Sequence, residues 1–249
     1  MVWLERLKSL GQPWTGVAQA LISGLGRLNP FSRFVKYSSL MHVPLSDYYY
    51  SRTSGPFSFF NQFRDGLYTP AFRAQVDRDL SLQYVRECFT RIAAEPILTQ
   101  MLYVDTKTWL PDDLLVKADK MTMANSVELR VPLLDHKVLE FAAGLPPEYK
   151  LKAFTTKHIL KKALDGRIPK QIIKRKKTGF PVPLQSWIHG ELRDFSRDVL
   201  LDSKTLARNY FKKSAIEGLL HIAEKERQYA REIFSLIVLE LWHRQFLDA

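Results

Sequence analysis

Four consecutive cations, Lys174 to Lys177, stand directly before Thr178 and Gly179. Lysine and arginine bind phosphate through charge-assisted hydrogen bonds, and a glycine beside them lets a ligand approach the backbone closely. The same cluster is also typical of a solvated basic surface, a nuclear-import signal or a nucleic-acid patch. The residue types therefore indicate an anion-binding loop without identifying the anion.

A second candidate is the triplet Glu128-Leu129-Arg130, which precedes the apolar run Val131-Pro-Leu-Leu134. In an extended segment Glu128 and Arg130 point the same way, because side chains alternate between the two faces. Charged groups that enter a core must be paired and hydrogen-bonded, so a structural ion pair is the plain interpretation. Asp119 and Asp135 are open to the same interpretation, as helix caps or ion-pair partners.

The composition limits the class of protein to which these residues belong. The chain has 249 residues, of which 46% are hydrophobic and 25% charged, as in ordinary globular proteins. The formal net charge of +11 favours anionic partners such as nucleotides. Cys88 is the only cysteine, which excludes an intrachain disulfide and argues against a thiolate metal site. With no signal peptide or membrane span predicted, we expect a cytoplasmic protein.

Helical periodicity accounts for most of the chain. The spacing predicts helices over Leu80–Ala94, from Pro111 to about Ala124, over His136–Gly144 and over about Ala230–Phe246. The last of these is apolar on most of its surface, which predicts a mostly buried helix. Two start signals are also present: Thr155 or Thr156 as the cap of a helix that Gly166 closes, and the capping box Ser214–Glu217.

Strand signals are nearly absent, so the sequence predicts a mainly α protein. No composition shift marks a linker, and the softest boundary lies near residues 75–80. We therefore expect residues 1–79 to form an irregular, partly helical connecting region. Residues 80–249 are expected to form one incomplete helical domain.

Several motifs occur together and in a fixed order. They are Leu-Pro-x-x-Leu-Leu from Leu110, Ala-Asp-Lys-Met-x-Met-Ala from Ala118, Val-Glu-x-Arg-Val-Pro-x-Leu-Asp from Val127, Arg-x-Lys-x-Gly-Phe-x-x-Pro from Arg175, and Leu-Glu-Leu-Trp from Leu239. This combination resembles the C-terminal part of the synthetase domain in the glutamine-hydrolysing asparagine synthetase family. Because the motifs are separate and collinear, their combination is far more specific than any one alone.

The resemblance implies a fold and a reaction. The fold is the helical C-terminal portion of an α/β synthetase domain of the adenine-nucleotide α-hydrolase-like (ATP pyrophosphatase) type, with the parallel sheet mostly missing. Complete members release ammonia from glutamine in an N-terminal domain. Their synthetase domain activates the aspartate side chain with ATP and Mg²⁺, giving β-aspartyl-AMP and pyrophosphate. Ammonia then attacks the acyl-adenylate, which yields asparagine and AMP.

The resemblance also implies roles for residues of the basic loop. Lys177 is the candidate catalytic residue, since a positioned cation stabilises the charge that develops on the α-phosphate and on departing pyrophosphate. Arg175, Arg130 and Gly179 are expected to assist in substrate or phosphate binding.

The resemblance leaves two roles open for Glu128. It either matches a glutamate that helps to activate the nucleophile in related synthetases, or it orients Arg130, which then holds the loop. Asp119 and Asp135 are expected to support the helix–loop assembly structurally. No metal ligand is predicted.

Two motifs of the family do not occur in these 249 residues: the ATP loop Ser-Gly-Gly-x-Asp-Ser and the later acidic Gly-Gly segment. We therefore expect an incomplete synthetase (a fragment, a truncated gene or half of a split enzyme) that does not bind ATP tightly alone. Its expected partners are aspartate, ATP, glutamine-derived ammonia and the missing glutaminase and ATP-loop region, in cis or as a separate chain. Nucleic acid is not expected. The alternatives are a related amidotransferase with another carboxylate acceptor, and a non-catalytic basic binding module.

Overall fold

The computed structural model describes residues 2, 5, 8, 39–49, 59–77, 80–176 and 182–248. The chain divides into two compact units that alternate along the sequence. Unit 1 comprises residues 1–49 and 81–177, and unit 2 comprises residues 50–80 and 178–249. The predicted boundary near residue 79 stays a prediction, as do the two regions that it separates.

Unit 1 contains short helices and one small hairpin. Its elements are a 3₁₀ helix Ser39–His42, α1 Leu45–Tyr48, α5 Leu80–Arg91, α6 Ile97–Lys107, a π-helical turn Leu110–Leu115, α7 Val116–Met123, a 3₁₀ helix Pro132–Leu134, α8 His136–Gly144, α9 Pro147–Lys150, β1 Leu151–Lys152, β2 Thr155–Thr156, α10 His158–Ala163 and α11 Lys170–Lys174. The two strands pair antiparallel, with Leu151 opposite Thr156.

Among the described residues of unit 1, the buried side chains come from residues 40–104. They are Leu40, Leu45, Tyr48, Val85, Cys88, Phe89, Met101 and Val104. Two polar contacts tie α1 to its neighbours: Arg86 Nε donates to Asp47 Oδ1 at 2.9 Å, and Tyr49 Oη, just after α1, donates to Asp105 Oδ2 at 2.9 Å. Helices α1, α5 and α6 therefore form the packed part of this unit.

The rest of unit 1 is different, because residues 105–176 include no buried residue. Large apolar side chains in this stretch are exposed, among them Met121, Leu133 and Phe141, with 61%, 66% and 71% of their surface accessible. These side chains give residues 105–176 an uncovered apolar surface.

Unit 2 is a small helical bundle. Its elements are α2 Phe59–Gln62, α3 Arg64–Leu67, α4 Pro70–Gln75, α12 Leu184–His189, α13 Arg193–Leu201, α14 Ser203–Ala207, α15 Lys213–Glu226 and α16 Ala230–Phe246. The core lies where α12, α13 and α15 pack on α16. It contains Ile188, Val199, Leu200, Ile216, Leu219, Leu220, Ala223, Ala230, Ile233, Leu236 and Ile237.

The segment after α3 joins this bundle through backbone pairing. Tyr68 forms an isolated antiparallel bridge with Phe211, and Lys212 N donates to the Leu67 carbonyl at 2.8 Å. Thr69 caps α4 by accepting from Phe72 N, and its hydroxyl donates to the Asn209 carbonyl. These bonds hold residues 59–77 against the C-terminal helices.

The mainly α class is confirmed, and most predicted helices are present. The helix predicted from Leu80 ends at Arg91, three residues early. The helix predicted from Pro111 begins as a π-helical turn at Leu110 and continues as α7 to Met123. The bounds predicted for α8 and α16 are those observed. No helix within the described residues is long and apolar enough to span a membrane.

The start signal assigned to Thr155 or Thr156 was wrong. Both residues lie in strand β2, and α10 starts after Lys157, whose φ of 55° is left-handed. A hairpin competes successfully for these β-branched residues. Gly166, with φ of 76°, lies in the turn after α10, as predicted for the residue that closes the helix.

The capping box was also wrong. Helix α15 begins at Lys213, so Ser214 already lies inside its first turn and makes no cap hydrogen bond. Glu217 instead pairs with Lys213, one helical turn earlier, at 3.8 Å.

The prediction that α16 is mostly buried was wrong as well. The helix buries Ile233, Leu236 and Ile237, whereas Phe234 and Trp242 are 44% and 48% exposed. Its apolar residues surround the helix, but the core of unit 2 covers one side of it only.

Candidate functional site

The Glu128–Arg130 pair lies in the extended segment that follows α7. Arg130 Nη2 lies 2.5 Å from Glu128 Oε1, and the two side chains are 81% and 69% exposed. The predicted ion pair is therefore formed, but at the surface rather than at the entrance to a core. Exposed ion pairs contribute about 0–1 kcal/mol to stability, so this pair sets the position of Arg130 more than it holds the fold.

Asp113, in the π-helical turn that precedes α7, is held by one partner on either side along the helix. Trp109 Nε1 donates to Asp113 Oδ2 at 2.9 Å, and Lys117 Nζ lies 2.9 Å from Oδ1. The hydrogen bond from Lys117 lowers the pKa of the Asp113 carboxyl below its usual value. This carboxylate is thus engaged in supporting the π-helical turn and α7.

The two aspartates predicted as structural supports differ in their surroundings. Asp135 caps α8, since its Oδ1 accepts from Lys137 N at 3.0 Å. Asp119 lies exposed in the first turn of α7, where a carboxylate favours the helix dipole. No described residue forms an ion pair or hydrogen bond with its carboxylate.

Only part of the basic loop lies within the described residues. Helix α11 ends at Lys174, and Arg175 follows it as an exposed residue whose backbone N–H donates to the Ile172 carbonyl at 3.3 Å. Lys176 is exposed as well. Lys177 and Gly179 lie outside the described residues.

The described residues differ in how they suit ATP and its Mg²⁺. Within the described ranges, no group of three or more His, Cys, Asp or Glu side chains could hold a metal ion. Lys174, Arg175 and Lys176 offer exposed cations that fit the charge of a triphosphate. The described chain therefore provides charge for the nucleotide but no ligand set for its metal.

Unit 2 contains a buried carboxylate, Glu240, that the sequence pattern did not predict. The Glu240 side chain is 3% exposed and accepts from two arginines: Arg208 Nε at 2.5 Å and Arg244 Nε at 2.7 Å. Arg208 also reaches Asp248 at 2.6 Å, and Arg244 reaches Asp202 at 2.6 Å. The sequence signal for this buried carboxylate was a single acid, Glu240, within the apolar run Leu236–Trp242 of α16.

The electrostatics of Glu240 reflect two opposing causes. Burial alone raises the pKa of its carboxyl, but hydrogen bonds from Arg208 and Arg244 outweigh burial and bring the pKa below its usual value. The pKa of Arg208 is raised by its hydrogen bonds to Asp248 and Glu240. The cluster is therefore a structural ion-pair network that joins α14, α16 and the residues after them.

Comparison with known proteins gave a consistent family assignment. The profile of the family described as asparagine synthase matches residues 9–244. Asparagine synthetase [glutamine-hydrolyzing] 1 of Bacillus subtilis is 41% identical over 168 residues, which cover 67% of this chain and 26% of that protein. A putative asparagine synthetase [glutamine-hydrolyzing] of Mycobacterium tuberculosis is 32% identical over 248 residues, 95% of this chain and 36% of that protein.

One relative carries a different name. Amidase chyE of Penicillium rubens is 33% identical over 97 residues, which cover 36% of this chain and 14% of that protein. No solved structure was found to match. The chain spans about a quarter to a third of the length of the curated synthetases it matches. With a profile match over nearly its whole length, the chain belongs to the asparagine synthase family.

Proposed function

We propose that this chain supplies the C-terminal helical part of a glutamine-dependent asparagine synthetase. In the proposed reaction an oxygen of the aspartate side-chain carboxylate attacks the α-phosphorus of ATP, and pyrophosphate leaves. Ammonia then attacks the acyl carbon of the adenylate, AMP leaves, and the nitrogen loses one proton to give the amide of asparagine.

The observation that carries this proposal is the profile match over residues 9–244, within which the motifs follow in order. The exposed stretch of residues 105–176 supports it, because that stretch combines three of the five motifs with uncovered apolar side chains. Such a surface is expected where further protein completes the domain.

In this proposal Lys177 is the catalytic cation, and Arg175 and Gly179 help to bind the phosphates. Arg130, positioned by Glu128, holds the basic loop, and the 2.5 Å contact between the two favours this role over direct activation of the nucleophile by Glu128. Asp119 and Asp135 support α7 and α8.

The remaining machinery is proposed to come from the glutaminase and ATP-loop regions, in cis or on a separate chain. Those regions would complete the site for ATP and Mg²⁺ and deliver the ammonia. The proposed setting is the cytoplasm, and the proposed fold of the completed domain is the adenine-nucleotide α-hydrolase-like α/β fold.

A second candidate is a related amidotransferase that acts on another carboxylate. The match to a relative named an amidase favours keeping this candidate, because the shared residues do not separate the acceptors.

The test is a fusion protein in which this chain replaces the matching segment of the Bacillus subtilis relative. Glutamine-dependent asparagine formation is measured, with the segment deletion as the negative control. Asparagine formation above that control supports the proposal. A folded fusion that adenylates a different carboxylate, but not aspartate, selects the second candidate. A folded fusion that adenylates no carboxylate would favour the non-catalytic binding module.

A further inference from the structure

Residues 152–176, the basic segment, hold most of the protein's excess charge. Nine lysines and arginines and a single acid, Asp165, lie in these 25 residues. Their net charge of +8 compares with +11 for the entire chain. The nine cations are Lys152, Lys157, Lys161, Lys162, Arg167, Lys170, Lys174, Arg175 and Lys176. All are exposed except Lys161, which is half-buried.

None of these nine cations forms an ion pair with a described residue. Elsewhere in unit 1 cations commonly have a carboxylate within 4.0 Å: Arg91 pairs with Glu87, Lys117 with Asp113, and Arg130 with Glu128. The basic segment thus keeps its charges available for an external anion.

Several of these charges are placed where they do not help the fold. Lys157 and Lys170 stand at the N-terminal ends of α10 and α11, where the helix dipole disfavours a cation. Lys157 and Lys161 are also four residues apart, as are Lys170 and Lys174, and like charges at that spacing repel. Lys161 and Lys174 lie in the last turns of α10 and α11, where the dipole favours a cation, so it is Lys157 and Lys170 that local stability does not account for.

We infer that the basic segment is an electrostatic capture surface for the polyphosphate chain of a nucleoside triphosphate. It ends at Lys176, directly before the proposed catalytic Lys177, so an anion drawn to it arrives beside that loop. A concentrated field of one sign raises the local concentration and the association rate of a multiply charged anion. This inference rests on the proposed function, since it names the substrate group that the basic segment attracts.

The direct test uses the chain itself and inorganic tripolyphosphate, so that no turnover is needed. The variant carries Lys157→Gln, Lys161→Gln, Lys162→Gln and Lys170→Gln, four changes outside the proposed phosphate-contacting residues. The control carries Arg197→Gln, Lys204→Gln, Lys225→Gln and Arg231→Gln in unit 2, which remove the same number of charges. Binding is measured by titration calorimetry at low salt and at about 0.2 M salt, where the field is screened beyond about 8 Å.

Tripolyphosphate is expected to bind the unmodified chain and the control within about twofold of each other. Binding by the variant is expected to be at least about tenfold weaker at low salt, with the difference shrinking at high salt. Circular dichroism of both proteins checks that the substitutions leave the helices intact; glutamine is a good helix former, so we expect no change.

Three results would overturn the inference. The first is no binding of tripolyphosphate, and the second is equal loss in variant and control, which reports net charge alone. The third is a short single-stranded RNA that binds far more tightly than tripolyphosphate and loses affinity in the variant, which assigns the segment to nucleic acid. An active fusion with a chain that fails to bind tripolyphosphate rejects this inference and keeps the proposed function. An inactive fusion with a chain that binds tripolyphosphate as expected keeps the capture surface and rejects the proposed function.

Discussion

Glu128 and Glu240 both pair with arginine, yet burial gives the two carboxylates different consequences. Glu128 is 69% exposed, so water solvates both the Glu128 carboxylate and the Arg130 guanidinium whether or not the pair forms. Glu240 is 3% exposed, and two arginines replace the water that it loses on folding. The first pair is therefore suited to positioning a side chain, and the second to fixing the fold.

Glu240→Gln is expected to destabilise the protein by about 2 kcal/mol, because it removes the buried charge that Arg208 and Arg244 share and leaves each with a single carboxylate, Asp248 or Asp202. Urea unfolding followed by circular dichroism measures the change. Glu217→Gln is the matched control, since Glu217 forms an exposed pair with Lys213 at 3.8 Å and should change stability by less than about 1 kcal/mol. Equal effects of the two substitutions would contradict the structural role assigned to Glu240.

Lys177→Ala in the fusion protein is expected to reduce ATP–pyrophosphate exchange by at least about a hundredfold, as the loss of a preorganised transition-state contact does. Glutaminase activity should persist, because that step uses a different domain. Lys225→Ala, which removes an exposed lysine of unit 2, is the control and should retain most of the exchange. Undiminished exchange in the Lys177 variant would remove Lys177 from the catalytic role.

At the scale of secondary-structure elements, α16 shows the limit of sequence patterns. Its bounds follow from uninterrupted helix-forming residues, but its burial depends on which sides the rest of unit 2 covers. Apolar residues lie all around α16, so periodicity has no preferred face to indicate. The structure selects the face of Ile233, Leu236 and Ile237.

Truncation on the two faces of α16 should therefore have unequal effects. Ile237→Ala is expected to cost about 2–4 kcal/mol, because Ile237 is 4% exposed and lies in the core. Val238→Ala, one residue along and 47% exposed, should cost less than about 1 kcal/mol. The difference in urea midpoint between the two variants measures the asymmetry. Similar midpoints would mean that both faces are packed.

The two incorrect start signals have local physical causes. Thr155 and Thr156 are polar residues that can cap a helix, but they are also β-branched and pair across the hairpin with Lys152 and Leu151. Ser214 and Glu217 have the spacing of a capping box, yet Lys212 N donates to the Leu67 carbonyl and the helix starts at the next residue, Lys213, before the serine. Long-range backbone pairing of this kind leaves no trace in local sequence.

The candidate site was predictable to the extent that short motifs define it. The ion pair of Glu128 with Arg130 and the capping by Asp135 follow from spacing and residue type, and both are present. Burial was not predictable in the same way, as Glu240 shows, because it depends on contacts between residues far apart in sequence. The functional roles of Lys177, Arg175 and Gly179 stay predictions.

At the scale of the whole molecule, residues 105–176 contrast with the remainder of the chain. They hold three of the five family motifs and carry large apolar side chains, but none of their residues is buried. Within unit 1, the packed core ends with α6, so this stretch depends on short local contacts. Such a surface is expected to associate with further protein.

Leu133→Asp combined with Phe141→Asp should affect the isolated chain and the completed domain differently. In the isolated chain the pair should change stability by less than about 1 kcal/mol, because the residues are 66% and 71% exposed. In the fusion protein the same changes should lower the melting temperature and abolish synthesis, since a carboxylate would be buried at the new interface. Glu140→Ala on the same helix is the control. Full activity of the double variant in the fusion would show that this face stays uncovered.

The most direct test of the central claim is aspartate-dependent ATP–pyrophosphate exchange by the fusion that carries this chain in place of the relative's matching segment. Exchange isolates the adenylation half-reaction, to which the basic loop and the Glu128–Arg130 pair are proposed to contribute. We expect the fusion to catalyse exchange that requires aspartate and is lost when the segment is deleted. A folded fusion that hydrolyses glutamine but shows no aspartate-dependent exchange would contradict the central claim.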